Sequence, residues 1–401
     1  MLDTTHPTHR LREAFRSDVI TGLRRTPKQL PCRWLYDDTG SLLFEEITRL
    51  PEYYPTRVET HILRTHAANI TRYMDEEAVL IEYGAGSAIK TEILLEALSR
   101  PAAYVPVDIA SDFLALTARR LGQRYEGLAL HPVVADFNED FQLPPGLPAG
   151  RRRTAFFPGS TLGNLDQAHA LALLRRMHAH VGEGGRAIIS VDLLKDTATL
   201  LRAYDDAAGV TAAFNLNLLH RINRELDGDL PVHAFRHEAC RNAQQRAVEM
   251  HLRCIRNVEA EVDGQAVRLQ AGETIHTESS RKFDLPRMKG LVLRAGWRLD
   301  HVWLDELRRF AVMGMSPHHG VWSSDATWID VETAFKGIHR APSSTTDTLM
   351  ACAADRPQNW RPRCPNSSPS ATEISRATTA RRSPSGMRLT SMTGSCKQRE
   401  P

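Results

Sequence analysis

The chain has 401 residues, 42% of them hydrophobic and 25% charged, the proportions of a globular protein long enough to build two cores. No run approaches the ~18 consecutive apolar residues of a membrane span, and the N-terminus lacks the basic-then-apolar profile of a secretory signal. The net charge of +3 belongs to the tail: residues 341–401 hold nine Lys/Arg against four Asp/Glu, so residues 1–340 carry −2 and show no nucleic-acid footprint.

Residues 8–26 predict an amphipathic helix, with Leu11, Phe15, Val19, Ile20 and Leu23 spaced for one face. A loop over 27–40 and a short helix over 41–49 follow. Residues 51–55 are fixed between two prolines, and helix resumes over 56–73. Strands at 79–83, 103–107, 130–134, 154–158 and 186–192 then alternate with helices at 90–99, 111–122 and 166–180, which predicts a parallel, doubly wound sheet. Residues 197–225 read as helical and 230–285 as β-rich, together a second lobe inserted within the sheet domain. A helix end at 291–294 and strands within 298–314 return to the sheet. Beyond about 341 the chain turns to Pro, Ser, Thr and Arg with little apolar periodicity, the composition of a disordered segment.

The first strand ends in Glu82, Tyr83, Gly84, Ala85 and Gly86, and the second in Asp108. Glycines let backbone approach a ligand where a Cβ would clash, and a carboxylate at the next strand end is placed for a ribose hydroxyl pair. The set predicts an adenosine-containing cofactor. Ile89 stands where a dinucleotide fingerprint wants its third glycine, and an acid at position 82 is more typical of S-adenosylmethionine binders. Asp136 and Phe137, after the third strand, offer the adenine an amide partner and an apolar edge. At the end of the fourth strand, the Gly-Ser-Thr-Leu-Gly-Asn string at 159–164 forms a polar cup. Asn164 suits a carboxylate–amine pair, or equally a helix cap. Tyr36, Tyr53, Tyr54 and Tyr204 are aromatic candidates, with Tyr54 best read as ordinary packing. Strand alternation puts Glu278 and Ser280 on one face, suited to imidazole or simply to an exposed strand. The six cysteines (Cys32, Cys240, Cys254, Cys352, Cys364, Cys396) show no C-x-x-C spacing, which argues against a zinc ribbon or redox pair and for a reducing cytoplasm.

Together these residues resemble the L-histidine Nα-methyltransferase family of ergothioneine biosynthesis, from about residue 10 to about 315. Specific strings carry the likeness: residues 50–57, 159–164 and 202–215. The resemblance implies an α/β fold, a doubly wound Rossmann-like class I S-adenosylmethionine methyltransferase domain with a second α+β substrate-binding lobe. It divides the chain into 1–60 (N-terminal helical part of the lobe), 61–196 (methyltransferase domain), 197–285 (lobe insertion), 286–315 (return to the sheet) and 316–401 (atypical tail). It implies three methyl transfers from S-adenosylmethionine to L-histidine giving hercynine, with no metal, no nucleic-acid or membrane partner, and a cytoplasmic monomer.

By the same resemblance, cofactor contacts fall on Gly84, Lys90, Asp108, Asp136 and Phe137. Amino-acid contacts fall on Tyr53, Asn164 and Tyr204, imidazole contacts on Glu278 and Ser280, and side-chain packing on Met250. Tyr36 and Asn164 are the expected catalytic pair, with Tyr36 facing the amine. The chain departs from the family at Ser87, Ala88 and Ile89, which replace a more hydroxyl-rich stretch, and at His251, where a larger aromatic is frequent. It also continues some eighty-five residues past the family's end, for which out-of-frame translation is the favoured origin. Two other readings are a methyltransferase for another aromatic amino acid such as tryptophan, and an inactive cofactor-binding scaffold.

Overall fold

The computed structural model describes residues 7–318, with side chains from Leu11 onward. The tail expected to be disordered lies outside the described residues.

The chain opens with α1 (Pro7–Arg24), which buries Phe15, Val19 and Leu23, then a short strand β1 (Lys28–Gln29) and a 3-10 turn, Cys32–Leu35. Helix α2 (Asp38–Ile47) begins earlier than the periodicity predicts because Asp37 caps it, its carboxylate accepting from Gly40 N at 2.7 Å. Helix α3 (Tyr54–Met74) carries Pro55 in its first turn, where a missing N–H is harmless, so the proline-flanked segment starts a helix. The alternating region follows as β2 (Val79–Tyr83), α4 (Ile89–Ala97), β3 (Ala103–Asp108), α5 (Ser111–Arg124), β4 (Val133–Val134), β5 (Arg153–Phe157), α6 (Gln167–Val181) and β6 (Arg186–Asp192). The strand expected over 130–134 shrinks to β4 plus a single bridge between Leu130 and Tyr104. Next come α7 (Thr197–Arg202), α8 (Val210–Glu225), β7 (Phe235–Asn242), β8 (Ala247–Cys254), β9 (Val258–Val262), β10 (Gln265–Leu269) and β11 (Thr274–Arg281). The chain closes with α9 (Leu285–Arg294), β12 (Trp297–Leu304) and β13 (Phe310–Pro317).

Seven strands form the main sheet in the order β4-β3-β2-β5-β6-β13-β12. The first five are parallel, and every residue of β2 is buried, which explains its continuous apolar run. The alternating region is parallel, as predicted, and the returning strands close the sheet antiparallel. Strand β13 runs antiparallel to β6 and also to β12, with which it forms a hairpin that needs no crossover. Strand order reverses between β2 and β5, so their carboxyl ends bound the crevice where an open α/β sheet takes ligands.

The second lobe is a four-stranded sheet, β1-β11-β8-β7, with α8 packed on β7 and β8, and α2 packed on α8. N-terminal residues and the insertion thus share one sheet. Two boundaries move. The division at residue 60 falls inside α3, which packs on β13 and β6, so the N-terminal part of the lobe ends near Tyr53. The division at 315 falls within β13, which extends to Pro317. No helix among the described residues is long and apolar enough to cross a membrane.

Candidate active site

One cavity lies over the carboxyl ends of β2, β3 and β5, and Gly84, Lys90, Asp108, Asp136 and Phe137 all line it. Gly84 has φ +74°, and a Cβ there would meet the Phe137 ring at 3.3 Å, so glycine keeps this wall open. Asp108 Oδ2 accepts from Gly86 N at 2.9 Å and its Oδ1 from Ala110 N at 3.0 Å, which fixes the carboxylate inside the glycine turn. Burial nevertheless pushes its pKa up against these bonds. Asp136 Oδ1 accepts from Asn138 N at 2.9 Å, and its Oδ2 from the Arg33 guanidinium of the second lobe. A glycine-walled cradle, a strand-end carboxylate and an aromatic flank fit an adenosine-bearing cofactor.

Glu82 serves the fold here. Its Oε2 accepts from Thr91 Oγ1 at 2.5 Å and from the Tyr104 hydroxyl, joining α4 and β3 to β2. Burial pushes its pKa up to about 8.

A smaller cavity adjoins, lined by Tyr36, Tyr53, Asn164, Tyr204, Met250, Glu278 and Ser280. Tyr36, Tyr53 and Asn164 border both cavities, so a ligand in one would meet a ligand in the other across them. Phe44 and Phe214 stand edge-on to the Tyr36 ring at 5.5 and 5.3 Å and complete an aromatic wall. Neither aromatic was singled out from sequence; nothing in their spacing separates them from ordinary core.

The alternative role of Asn164 as a helix cap is excluded, because Asp166 caps α6 by accepting from His169 N. Asn164 Nδ2 instead donates to Glu278 Oε1 at 2.7 Å. Glu278 faces the cavity because β11 has a register shift between His276 and Glu278, where Thr277 Oγ1 donates to Met250 O at 3.0 Å. Without that bulge, alternation from the core residue Ile275 would turn Glu278 outward. Burial pushes the Glu278 pKa up to about 7, against the pull of Lys282 and the Asn164 bond. The cup approaches β11 closely at Gly163, where a Cβ would lie 2.6 Å from Arg281 O.

Behind the cavity lies a charged network that sequence reasoning missed. Lys282, fully buried, donates to Tyr204 Oη and to Ser280 Oγ, each at 2.8 Å, and its Nζ is 2.9 Å from Asp192 Oδ2. The Tyr204 and Ser280 hydroxyls are 2.7 Å apart. Two hydroxyls with one mutual bond, both accepting from Lys282, leave one hydroxyl proton to point at a ligand. Tyr54 is not ordinary packing: its hydroxyl donates to Asp192 Oδ2 at 2.6 Å, and Lys195 Nζ donates to Tyr54 Oη at 2.7 Å. Asp192 closes β6, a strand-end position that could have marked it. On the cofactor side, buried Glu59 pairs with Lys90 Nζ at 2.6 Å and accepts from Gly159 N at 2.8 Å, a link between α3, α4 and the cup that no local motif announces.

A family model described as "Histidine-specific methyltransferase, SAM-dependent" matches residues 15–317. The chain belongs to this family. A curated member, the Histidine N-alpha-methyltransferase of Mycobacterium tuberculosis, is 40% identical over 304 residues, which cover 75% of this chain and 94% of that protein. Ergothioneine biosynthesis protein 1 of Neurospora crassa is 30% identical over 203 residues, 49% of this chain and 23% of that protein. Among solved structures, SAM-bound CalS10, an amino pentose methyltransferase from Micromonospora echinaspora, aligns with a TM-score of 0.37 at 16% identity, over 64% of this chain and 91% of that one. The family match ends with β13, where the main sheet is complete.

Proposed function

We propose that this chain transfers methyl groups from S-adenosylmethionine to the α-amine of L-histidine, three times in succession, making hercynine in the first step of ergothioneine biosynthesis. The observation that carries the substrate is buried Glu278, held by Asn164 on the far wall of a small polar cavity that shares six lining residues, Tyr36, Tyr53 and Asn164 among them, with the cofactor cavity. A buried acceptor beside a hydroxyl suits an imidazole N–H, and a side chain without that N–H would leave Glu278 unpaired.

Bound S-adenosylmethionine supplies an electrophilic sulfonium methyl group. Asp108 would take the ribose hydroxyls, Gly84 and Phe137 would flank the nucleoside, Asp136 would meet the adenine, and Lys90 would sit at the cup end of the cavity. Tyr204 would donate to the histidine carboxylate, its hydroxyl oriented by Lys282 and Ser280. Asn164 has one amide hydrogen committed to Glu278 and keeps its second, and its carbonyl, for the carboxylate and amine. Glu278 and Ser280 would anchor the imidazole, Tyr53 would close that side, and Met250 would pack against the ring. Tyr36 would present its π-face to the amine as it becomes a quaternary cation.

Positioning would be the main contribution: a well-oriented pair of reactants recovers on the order of 7–11 kcal/mol of barrier. A neutral amine and a sulfonium leaving group need no Lewis acid, so no metal is assigned a part in the transfer. Residues of this one chain line both cavities, and the chain would work as a monomer. A competition assay tests the substrate: L-histidine should suppress any methylation of L-tryptophan, whereas the reverse ranking would reassign the pocket.

A further inference from the structure

We infer that Cys240, Glu249 and His251 form a binding site for a zinc-type divalent cation on the outer face of the second-lobe sheet. One donor atom from each of the three lies within 4.8 Å of the other two, and all three residues are half-buried. Cys240 of β7 sits directly opposite Glu249 of β8, and His251 is two residues further along β8, so all three project from one face. Met250, between them, points the other way and lines the small cavity. The cluster is therefore separated from the methyl-transfer site by the thickness of one strand.

The donor set is a thiol, an imidazole and a carboxylate, which zinc takes at about 2.0–2.3 Å in tetrahedral sites. Small side-chain rotations would bring these atoms to such distances. Glu249 Oε1 accepts from Asn242 Nδ2 at 2.7 Å, which holds the carboxylate in place, and Oε2 bonds His251 Nε2 at 3.2 Å, a contact that a shared cation would replace. The other ring nitrogen, His251 Nδ1, is buried with no hydrogen-bond partner, an unsatisfied polar atom at the edge of the cluster. On binding a divalent cation the Cys240 thiol would coordinate as the thiolate, its proton passing to solvent. The His276 ring, 5.1 Å from that of His251, engages Ser279 Oγ through its Nε2 and borders the cluster. A cation here would lie apart from the methyl-transfer site and take no part in the transfer.

The test uses the reduced, chelator-stripped full chain titrated with Co²⁺ and then Zn²⁺. One equivalent of Co²⁺ should bind with a thiolate-to-cobalt charge-transfer band, and Zn²⁺ should displace it. Cys240→Ser should abolish the band while keeping methyl transfer, and His251→Phe should weaken binding ~10-fold or more. Absence of stoichiometric binding, or a band that survives in Cys240→Ser, overturns the site. Should Cys240→Ser fail to fold, alkylation of the unmutated chain decides: Zn²⁺ should protect Cys240 from iodoacetamide, and equal labelling with and without Zn²⁺ overturns the inference.

Discussion

Asn164 and Glu278, 114 residues apart, meet in a 2.7 Å hydrogen bond that joins the strand-end cup of the main sheet to β11 of the second lobe. Asn164→Ala removes both this bond and the amide that the proposed function assigns to the substrate. The expected result is a fall in kcat/KM for histidine on the order of 10²-fold, with S-adenosylmethionine affinity kept in calorimetry. Turnover equal to the unmutated chain would remove Asn164 from the site.

Glu278 makes the substrate pocket costly to fold at neutral pH. Its folded pKa, about 7, lies above the ordinary 4.5, so the folded chain holds a proton that the unfolded chain releases. The stabilising contribution is complete below about pH 4.5 and is lost as pH rises through about 7, a change on the order of 3 kcal/mol. Without histidine present, stability should therefore fall between pH 5 and 8 more steeply than in Glu278→Gln. Denaturant melts at several pH values compare the two, and parallel curves would contradict the assignment. Glu278→Ala should in turn lose most histidine affinity while S-adenosylmethionine still binds; equal loss of both ligands would argue against its role.

Gly163 measures how tightly the lobes approach. Its φ is unremarkable for an L-residue, but an added Cβ would be 2.6 Å from Arg281 O, so the cup or β11 must shift. Gly163→Ala should raise KM for histidine ~10-fold or more by displacing Glu278 and Ser280, with cofactor affinity little changed. A KM within twofold of the unmutated chain would show that the loop yields without moving the pocket.

Lys282 bonds both Tyr204 and Ser280 and pairs with Asp192 in the interior. Replacement by Met leaves Asp192 buried with one fewer cation and the two hydroxyls without their shared donor. The expected cost is on the order of 3 kcal/mol in thermal or denaturant unfolding, accompanied by weaker histidine binding. A Lys282→Met chain of unchanged stability and affinity would mean that Lys195 and Tyr54 alone satisfy Asp192.

The main sheet was legible because each of its parallel strands is a short apolar run closed by a turn, and β6 matches its predicted limits at 186–192. The strand-end residues Gly84, Asp108, Asp136 and Asn164 were legible for the same reason: ligand-facing positions in such a sheet follow from where strands stop. What escaped depends on distant pairing. Glu59 sits mid-helix, and only the fold brings it to Lys90 and Gly159. Lys282 looks like one charge in a mixed strand until Asp192 arrives from ninety residues upstream. The β11 bulge that turns Glu278 inward is a register event between strands, invisible to a period-two count along one of them. Tyr54 was misread because its partner, Asp192, lies 138 residues away.

The central claim is methyl transfer to histidine, and product analysis by mass spectrometry tests it most directly. Incubated with S-adenosylmethionine and L-histidine, the chain should yield mono-, di- and trimethylhistidine in succession, with the trimethyl betaine as end product and little or no methylation of L-tryptophan in a parallel reaction. No methylated histidine, or faster methylation of tryptophan, would contradict the account.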